Sequence, residues 1–145
     1  MTTERETPYQ NFNFEVEIEG EKIMNFFEAV LPQSCTKVVE YRSGNSKENL
    51  SIQVPSLATF TPLILSRHFN GSTFLYNWWN ATKMGSLEHR NVAIHLYSED
   101  RAERAASWVF YGCFPVCYYF SPLNAEKPDV LTETIELNVH NWVLE

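Results

Sequence analysis

The chain has 145 residues, with 11 Lys and Arg against 18 Asp and Glu, a net charge of −7 and 44% hydrophobic residues. This length and apolar content predict one globular domain over residues 1–145 and exclude a disordered chain. The acidic balance argues against nucleic-acid recognition, because contacts to phosphates need an excess of basic side chains.

The cysteines and the N-terminal residues predict the compartment. Cys35, Cys113 and Cys117 are an odd number without a CxxC pair, so we expect reduced thiols. The first residues hold no apolar segment, and no run approaches the roughly 18 apolar residues of a membrane helix. We therefore expect a protein that is made in the cytoplasm and is not an integral membrane protein.

Alternating apolar and polar residues predict about seven antiparallel strands. The clearest run is 12–19, which ends at Gly20. A kink at Gly112 and Pro115 is expected to separate two late strands. The further predicted strands cover residues 36–42, 49–54, 92–97, 108–111, 116–120 and 134–140.

A polar connector of residues 42–49 joins two of these predicted strands. It holds Gly44, Asn45, serines and charges of both signs, and it is longer than a tight hairpin needs. Ordering such a segment costs backbone entropy that contacts elsewhere must offset. The connector is therefore either a working surface or a loose solvent loop.

One helix interrupts the strands. Ser72 or Thr73 can cap its N-terminus, and Gly85 suits the C′ position. A helix of about three turns is not stable alone in water, so its apolar stripe should anchor it on a sheet. The predicted core anchors are Phe74, Leu75, Trp78 and Trp79. These elements predict a mainly β (α+β) fold, an antiparallel β-barrel or sandwich with one flanking helix.

The residue types that carry catalysis are not brought together by any motif. The four histidines lie on separate predicted elements, without Cys or carboxylates at metal-ligand spacing: His68, His89, His95 and His140. His95 and His140 fall on polar strand positions, where solvated side chains are expected. Glu15, Glu17 and Glu19 share one strand face, which is typical of a solvated surface. We predict a protein that is not an enzyme and has no catalytic, metal-binding or cofactor-binding residues.

Several different short motifs follow one another along the chain. The early ones are residues 12–20, Phe27-Glu28, 39–44 and 54–57. The later ones are residues 74–78, 90–94, Trp108 with 114–118, 122–125 and 132–137. In this order and spacing the chain resembles the tail tube family of contractile phage tails and extracellular contractile injection systems, over nearly its whole length.

The resemblance implies a structural inner-tube subunit that forms a homohexameric ring and stacks into a hollow rigid tube, which is driven through a target envelope and conducts cargo. Implied partners are a sheath protein, baseplate or spike proteins, and a tape-measure protein or cargo in the lumen. The tube would be assembled in the bacterial cytoplasm as part of a virion or of a released or membrane-attached injection particle.

The resemblance also implies roles for particular residues. The connector would reach a neighbouring subunit or ring through Arg42, Ser43, Gly44, Asn45, Ser46, Lys47, Glu48 and Asn49. Polar strand positions would line the lumen: Glu40, Arg42, Ser51, Gln53, Thr134, Glu136 and Asn138.

Two alternatives stay open. Pro62 falls where the family carries an unbroken strand, so that strand should be bulged or at an edge. Residues 138–142 and 113–120 also depart from the family pattern, as expected for a baseplate-proximal tube-initiator subunit. Outside the family, a monomeric small-ligand-binding β-barrel with an apolar cavity would explain the same alternation.

Overall fold

The computed structural model describes residues 4–41 and 51–145 and is mainly antiparallel β with one helix, which confirms the predicted fold class. The elements in these ranges are β1 (Phe14–Ile18), β2 (Glu21–Ile23), β3 (Phe26–Val30), β4 (Ser34–Tyr41), β5 (Ile52–Phe60), β6 (Leu63–His68), α1 (Phe74–Lys83), β7 (Arg90–Tyr97), β8 (Arg104–Phe120), β9 (Thr132–Asn138) and β10 (Asn141–Leu144). The expected number of about seven strands was too low, because β2, β3, β6 and β10 were not predicted, although β8 was counted as two strands.

Eight strands form one antiparallel sheet in the order β2-β1-β7-β8-β9-β6-β3, with β10 also paired to β8. β2 and β3 lie at opposite edges of this order, yet only Met24 and Asn25 separate them in the chain. The sheet must therefore curl until its edges approach each other. Among the described residues no ladder joins these two edges, so the sheet is not closed into a barrel.

The core lies inside the curl, on alternate positions of the central strands. Val16 and Ile18 of β1 are buried, as the period of residues 12–19 predicts, whereas Phe12 precedes β1 and is exposed. Across the core, Ile135 and Leu137 of β9 are also buried, and they share one face because successive side chains alternate.

The ends of α1 follow from local backbone chemistry. Thr73 is the N-cap residue, but its hydroxyl accepts from the Asn77 side-chain amide at 3.3 Å and not from a backbone N–H of the first turn. The Ser72 hydroxyl accepts from the Phe74 N–H at 3.3 Å. At the other end Gly85 has φ +92° and donates to the Thr82 carbonyl. Ser86 donates in turn to Ala81, which completes a Schellman motif and confirms the predicted C′ glycine.

β8 is one strand of 17 residues, and the prediction of two strands at 108–111 and 116–120 is wrong. β10 and β9 pair in succession along one side of it, which places His140 opposite Gly112. A Cβ on Gly112 would lie 2.9 Å from the His140 Cβ, so glycine is needed for close approach rather than for a chain break. The register of β8 against β9 shifts between Pro115 and Cys117, and this irregularity accommodates the proline within the strand.

β3 and β6 continue outward into β4 and β5 as one two-stranded ribbon. Val30 pairs with Ile64, and Ser34 pairs with Phe60 in the same register. Between them the Thr61 N–H donates to the Gln33 carbonyl at 3.1 Å. We call the outer part of this ribbon, β4 with β5, the arm.

Two prolines separate the arm from the body of the fold. The unchanged register places Pro32 opposite Pro62, and neither residue has an N–H to donate. No ladder pair is formed between Val30–Ile64 and Ser34–Phe60, and the arm forms a separate two-stranded sheet. Pro62 itself lies between β5 and β6, and the predicted bulge and edge are found in β5, which is bulged against β4 and has no second partner among the described strands. The bulge occurs farther out, between Thr36 and Val38.

Candidate assembly surfaces

The arm carries an apolar face that no described residue covers. Val39 pairs with Val54 and Tyr41 pairs with Ile52, so the four side chains point to the same side. They are between 46% and 61% exposed. A two-stranded hairpin is marginally stable alone in water, and such an apolar face is typical of an interaction site.

The opposite face of the arm is more polar. Glu40 and Gln53 form a cross-strand pair on it, and both side chains are exposed. Ser51, which precedes β5, is half-buried. At the bulge Leu57 is 87% exposed, which adds an apolar side chain near the arm's base. The arm is therefore amphipathic across its two faces.

The predicted connector contacts lie outside the described residues. This applies to Arg42, Ser43, Gly44, Asn45, Ser46, Lys47, Glu48 and Asn49, and hence to Arg42 as a lumen residue. The last described pair before this segment is Tyr41 with Ile52, so β4 and β5 do pair as the two strands that the connector joins. The roles of these connector residues stay predictions.

Three predicted lumen residues lie on the outward face of β9. Asn138 is exposed and Glu136 is half-buried, but Thr134 is only 8% exposed. The Thr134 hydroxyl lies 2.9 Å from that of Ser66 on β6. Because β6 and β8 flank β9, a small side chain in the middle is shielded by larger neighbours. Thr134 is therefore not available to a water-filled lumen in this subunit.

Glu136 has a defined partner on the same face. The Tyr119 hydroxyl donates to its carboxylate at 3.1 Å. Partial burial raises the pKa of Tyr119, and this hydrogen bond to the carboxylate raises it further, so the phenol stays protonated as the donor. The pair orients Glu136 on the outward surface.

The predicted helix anchors occupy different depths. Leu75 and Trp78 are buried in the core, and the Trp78 indole N–H donates to the Glu88 carbonyl at 2.8 Å. Phe74 is partly buried and packs against the core cluster. Trp79 is half-buried and lies outside that cluster, because consecutive helical residues point about 100° apart.

A buried ion pair in the body escaped the sequence analysis. The Arg67 Nε lies 2.5 Å from the Glu133 carboxylate, and both side chains are buried. The Tyr118 hydroxyl donates to the same carboxylate. Burial raises the pKa of Tyr118, and the carboxylate beside it raises the pKa further. The available signal was that Glu133 and Ile135 share the apolar phase of one strand, where an acid needs a partner.

The prediction that the His95 side chain is solvated is wrong. His95 is 5% exposed, its Nδ1 lies 2.7 Å from the Ser107 hydroxyl, and its Nε2 lies 3.3 Å from the Glu17 carboxylate. β1 and β8 flank β7 and cover this polar face, which alternation alone cannot reveal. His140 is exposed, as expected.

The glutamates of β1 are also paired rather than freely solvated. Glu15 accepts from the Tyr97 hydroxyl at 2.9 Å and lies 3.3 Å from the Lys22 ammonium and 3.1 Å from Arg101. Partial burial raises the pKa of Glu15, but these donors outweigh that effect and lower it. The carboxylate therefore helps to hold the hairpin of β1 and β2.

Within residues 4–41 and 51–145, no group of three or more His, Cys, Asp or Glu could hold a metal ion. The same part of the chain contains no helix that is both long and apolar enough to cross a membrane. Cys35 and Cys117 are exposed and Cys113 is buried, and all three are free thiols. The candidate sites that the geometry offers are the exposed arm and the edge strands β2 and β3.

Comparison with solved structures finds the same fold in injection-system proteins. A chain of the sheath-tube complex of an extracellular contractile injection system, PVC, in the extended state is 23% identical, with a TM-score of 0.84 over 97% of this chain and 93% of that one. A chain of the 6-fold symmetrised baseplate of the anti-feeding prophage is 20% identical, with a TM-score of 0.80 over 97% of each chain. Hcp1 from Flavobacterium johnsoniae is 13% identical, with a TM-score of 0.57 over 92% and 94%.

Sequence comparison tests which family the chain belongs to, beyond the similarity in fold. A search of curated proteins finds no match. The family model for the T4-like virus tail tube protein gp19 matches residues 10–143, which covers the body, the arm and the connector. The chain therefore belongs to the T4-like tail tube protein family.

Proposed function

We propose that this chain is the inner-tube subunit of a contractile phage tail or injection system, with six copies in each ring and rings stacked into a hollow tube. The observation that carries the proposal is the arm, an ordered β-ribbon whose apolar face is exposed on the single subunit. Its ordering cost is offset when another copy covers that face.

The open sheet supports ring formation. β2 and β3 are edge strands, and an edge presents backbone N–H and C=O groups that pair readily with another chain. When the edge of one subunit meets the edge of the next around a symmetric ring, the sheets join into one wall. The polar faces that carry Glu136, Asn138, Glu40 and Gln53 would line the lumen.

The proposed role is mechanical. A sheath protein would surround the tube, baseplate or spike proteins would begin it, and a tape-measure protein or cargo would occupy the lumen. The tube would be assembled in the bacterial cytoplasm as one domain per subunit. No residue needs to react, so we propose that the subunit is not an enzyme. A baseplate-proximal initiator subunit is the second form of this role; the ligand-binding barrel has no support, because the sheet is open.

Negative-stain electron microscopy of the purified protein tests the proposal. We expect rings or hollow rods with sixfold projections, and a protein that stays monomeric at high concentration would contradict it. Replacing residues 43–47 by a two-residue turn should leave a folded monomer and abolish stacking. Normal tubes from that variant would show that the connector has no role in assembly.

A further inference from the structure

The body has an apolar groove beside the base of the arm. Its volume is about 400 Å³, and it lies between β1, β7 and β8 on one side and β3 with the residues after it on the other. Its apolar lining includes Phe12, Phe14, Phe27, Leu31, Leu96 and Trp108.

The groove is a part of the core that the subunit does not close. Phe14 pairs with Leu96, in the same phase as buried Val16 and Ile94, so both side chains point inward. At this end of the curl no strand of residues 4–41 and 51–145 joins the two edges, and the core side chains of the subunit therefore meet solvent. Phe12, at the rim, is 63% exposed.

The subunit's own arm begins beside this groove and extends beyond it. Leu31 lines the groove and leads through Pro32 into β4. At roughly 3.3 Å per residue, Val39 lies about 17 Å beyond Ser34 along a paired ribbon. The apolar face of the arm is thus displaced outward from the groove of the same chain.

Residues 42–50 do not offer a better occupant. They are Arg-Ser-Gly-Asn-Ser-Lys-Glu-Asn-Leu, with Leu50 as the single large apolar side chain. The arm, in contrast, presents Val39, Tyr41, Ile52 and Val54 together. The arm is a narrow two-stranded ribbon, and this shape suits a groove.

We propose that the apolar face of the arm of one copy docks into the groove of a second copy, where it covers Phe12, Phe14 and Leu31. This inference rests on the proposed tube function and names the receptor surface for the arm. The contact is heterologous, because arm and groove are different surfaces of one chain. Each copy therefore offers one arm and one groove, and the contact propagates from copy to copy.

Two matched pairs of variants test the docking. The arm variant Val39→Glu with Val54→Lys removes the apolar face but keeps the ribbon, since opposite charges can pair across strands. The groove variant Phe12→Glu with Leu31→Lys changes side chains that lie outside the strands. Controls are Glu40→Lys with Gln53→Glu on the other arm face, and Met84→Glu with Leu87→Lys, which are exposed and border neither surface.

Sedimentation velocity measures the outcome. We expect each test variant alone to self-associate at least about tenfold more weakly than wild type, while both controls assemble normally. A mixture of arm variant and groove variant should associate more tightly than either alone, because it restores one intact arm and one intact groove. Circular dichroism melting checks the fold, and Phe12→Glu alone repeats the test if the double variant does not fold.

The outcomes separate this inference from the proposed function. If the groove variant assembles like wild type, or if mixing restores nothing, the groove is not the receptor, although tubes from the wild-type protein would still support the tube function. If only the arm variant fails, the arm packs elsewhere, for example against another arm. If wild type forms no rings or tubes, both proposals fall.

Discussion

The body and the arm differ in the burial of their apolar side chains. In the body, Trp78, Phe110 and Leu137 are at most 1% exposed, because the curled sheet and α1 cover them from both sides. In the arm, Val39 and Ile52 are more than half exposed, and β4 and β5 pair only with each other among the described strands. Folding of one subunit therefore completes the core of the body but leaves the apolar face of the arm exposed.

Trp78→Ala should have the largest effect on the body, a loss of about 3–5 kcal/mol in the free energy of unfolding. The substitution leaves a cavity where the indole packs and removes its hydrogen bond to Glu88. Trp79→Ala is the matched control, with an expected loss of about 1 kcal/mol, since Trp79 is half-buried. Urea denaturation measures both, and equal losses would contradict this assignment of the helix face.

Arg67→Met should cost roughly 3 kcal/mol, because it leaves the Glu133 carboxylate buried without its cation. The double variant Arg67→Met with Glu133→Leu should recover most of the loss, since neither charge then remains in the core. Denaturant unfolding of the two variants gives the comparison. A double variant no more stable than the single would show that the pair is not the source of the loss.

Replacing residues 34–60 by Asn-Gly should change the stability of the body by less than about 1 kcal/mol, because the arm buries little of its own surface. Gln33 and Thr61 already face each other, so a two-residue turn can join them. Thermal unfolding measures the change. A large loss would mean that the arm belongs to the fold and not to the assembly.

Thiol labelling should leave the stability of the protein almost unchanged. It should distinguish the exposed cysteines from the buried one. Burial raises the pKa of Cys113 to about 12, which lowers its thiolate fraction at neutral pH by about a thousandfold. Cys35 on the arm and Cys117 on β8 are exposed. We expect Cys35 and Cys117 to react with a thiol reagent in the native protein and Cys113 only after unfolding, as mass spectrometry can show.

Local patterns were enough to predict several elements. The alternation of residues 12–19 contains β1, and Gly85 sits at the C′ position of α1, because strand period and C-cap chemistry depend only on neighbouring residues. The pairing of β4 with β5 follows in the same way from two alternating runs.

Features that depend on distant strands were not predictable in this way. The sequence predicts a strand break at Gly112. In the structure His140 lies opposite Gly112, the glycine permits this close approach, and β8 is continuous. His95 and Thr134 lie on polar strand positions, but neighbouring strands bury them. The groove at Phe12 exists only because the sheet edges fail to meet, which no single strand encodes.

The gap at Pro32 and Pro62 has a mechanical consequence. Between the Val30–Ile64 and Ser34–Phe60 pairs no ladder pair is formed, and Pro32 and Pro62 each fix φ at about −65°. Bending between the arm and the body is therefore resisted by fewer cross-strand hydrogen bonds at this gap than on either side of it. The arm can change its angle towards a neighbouring copy while β3 stays paired with β6.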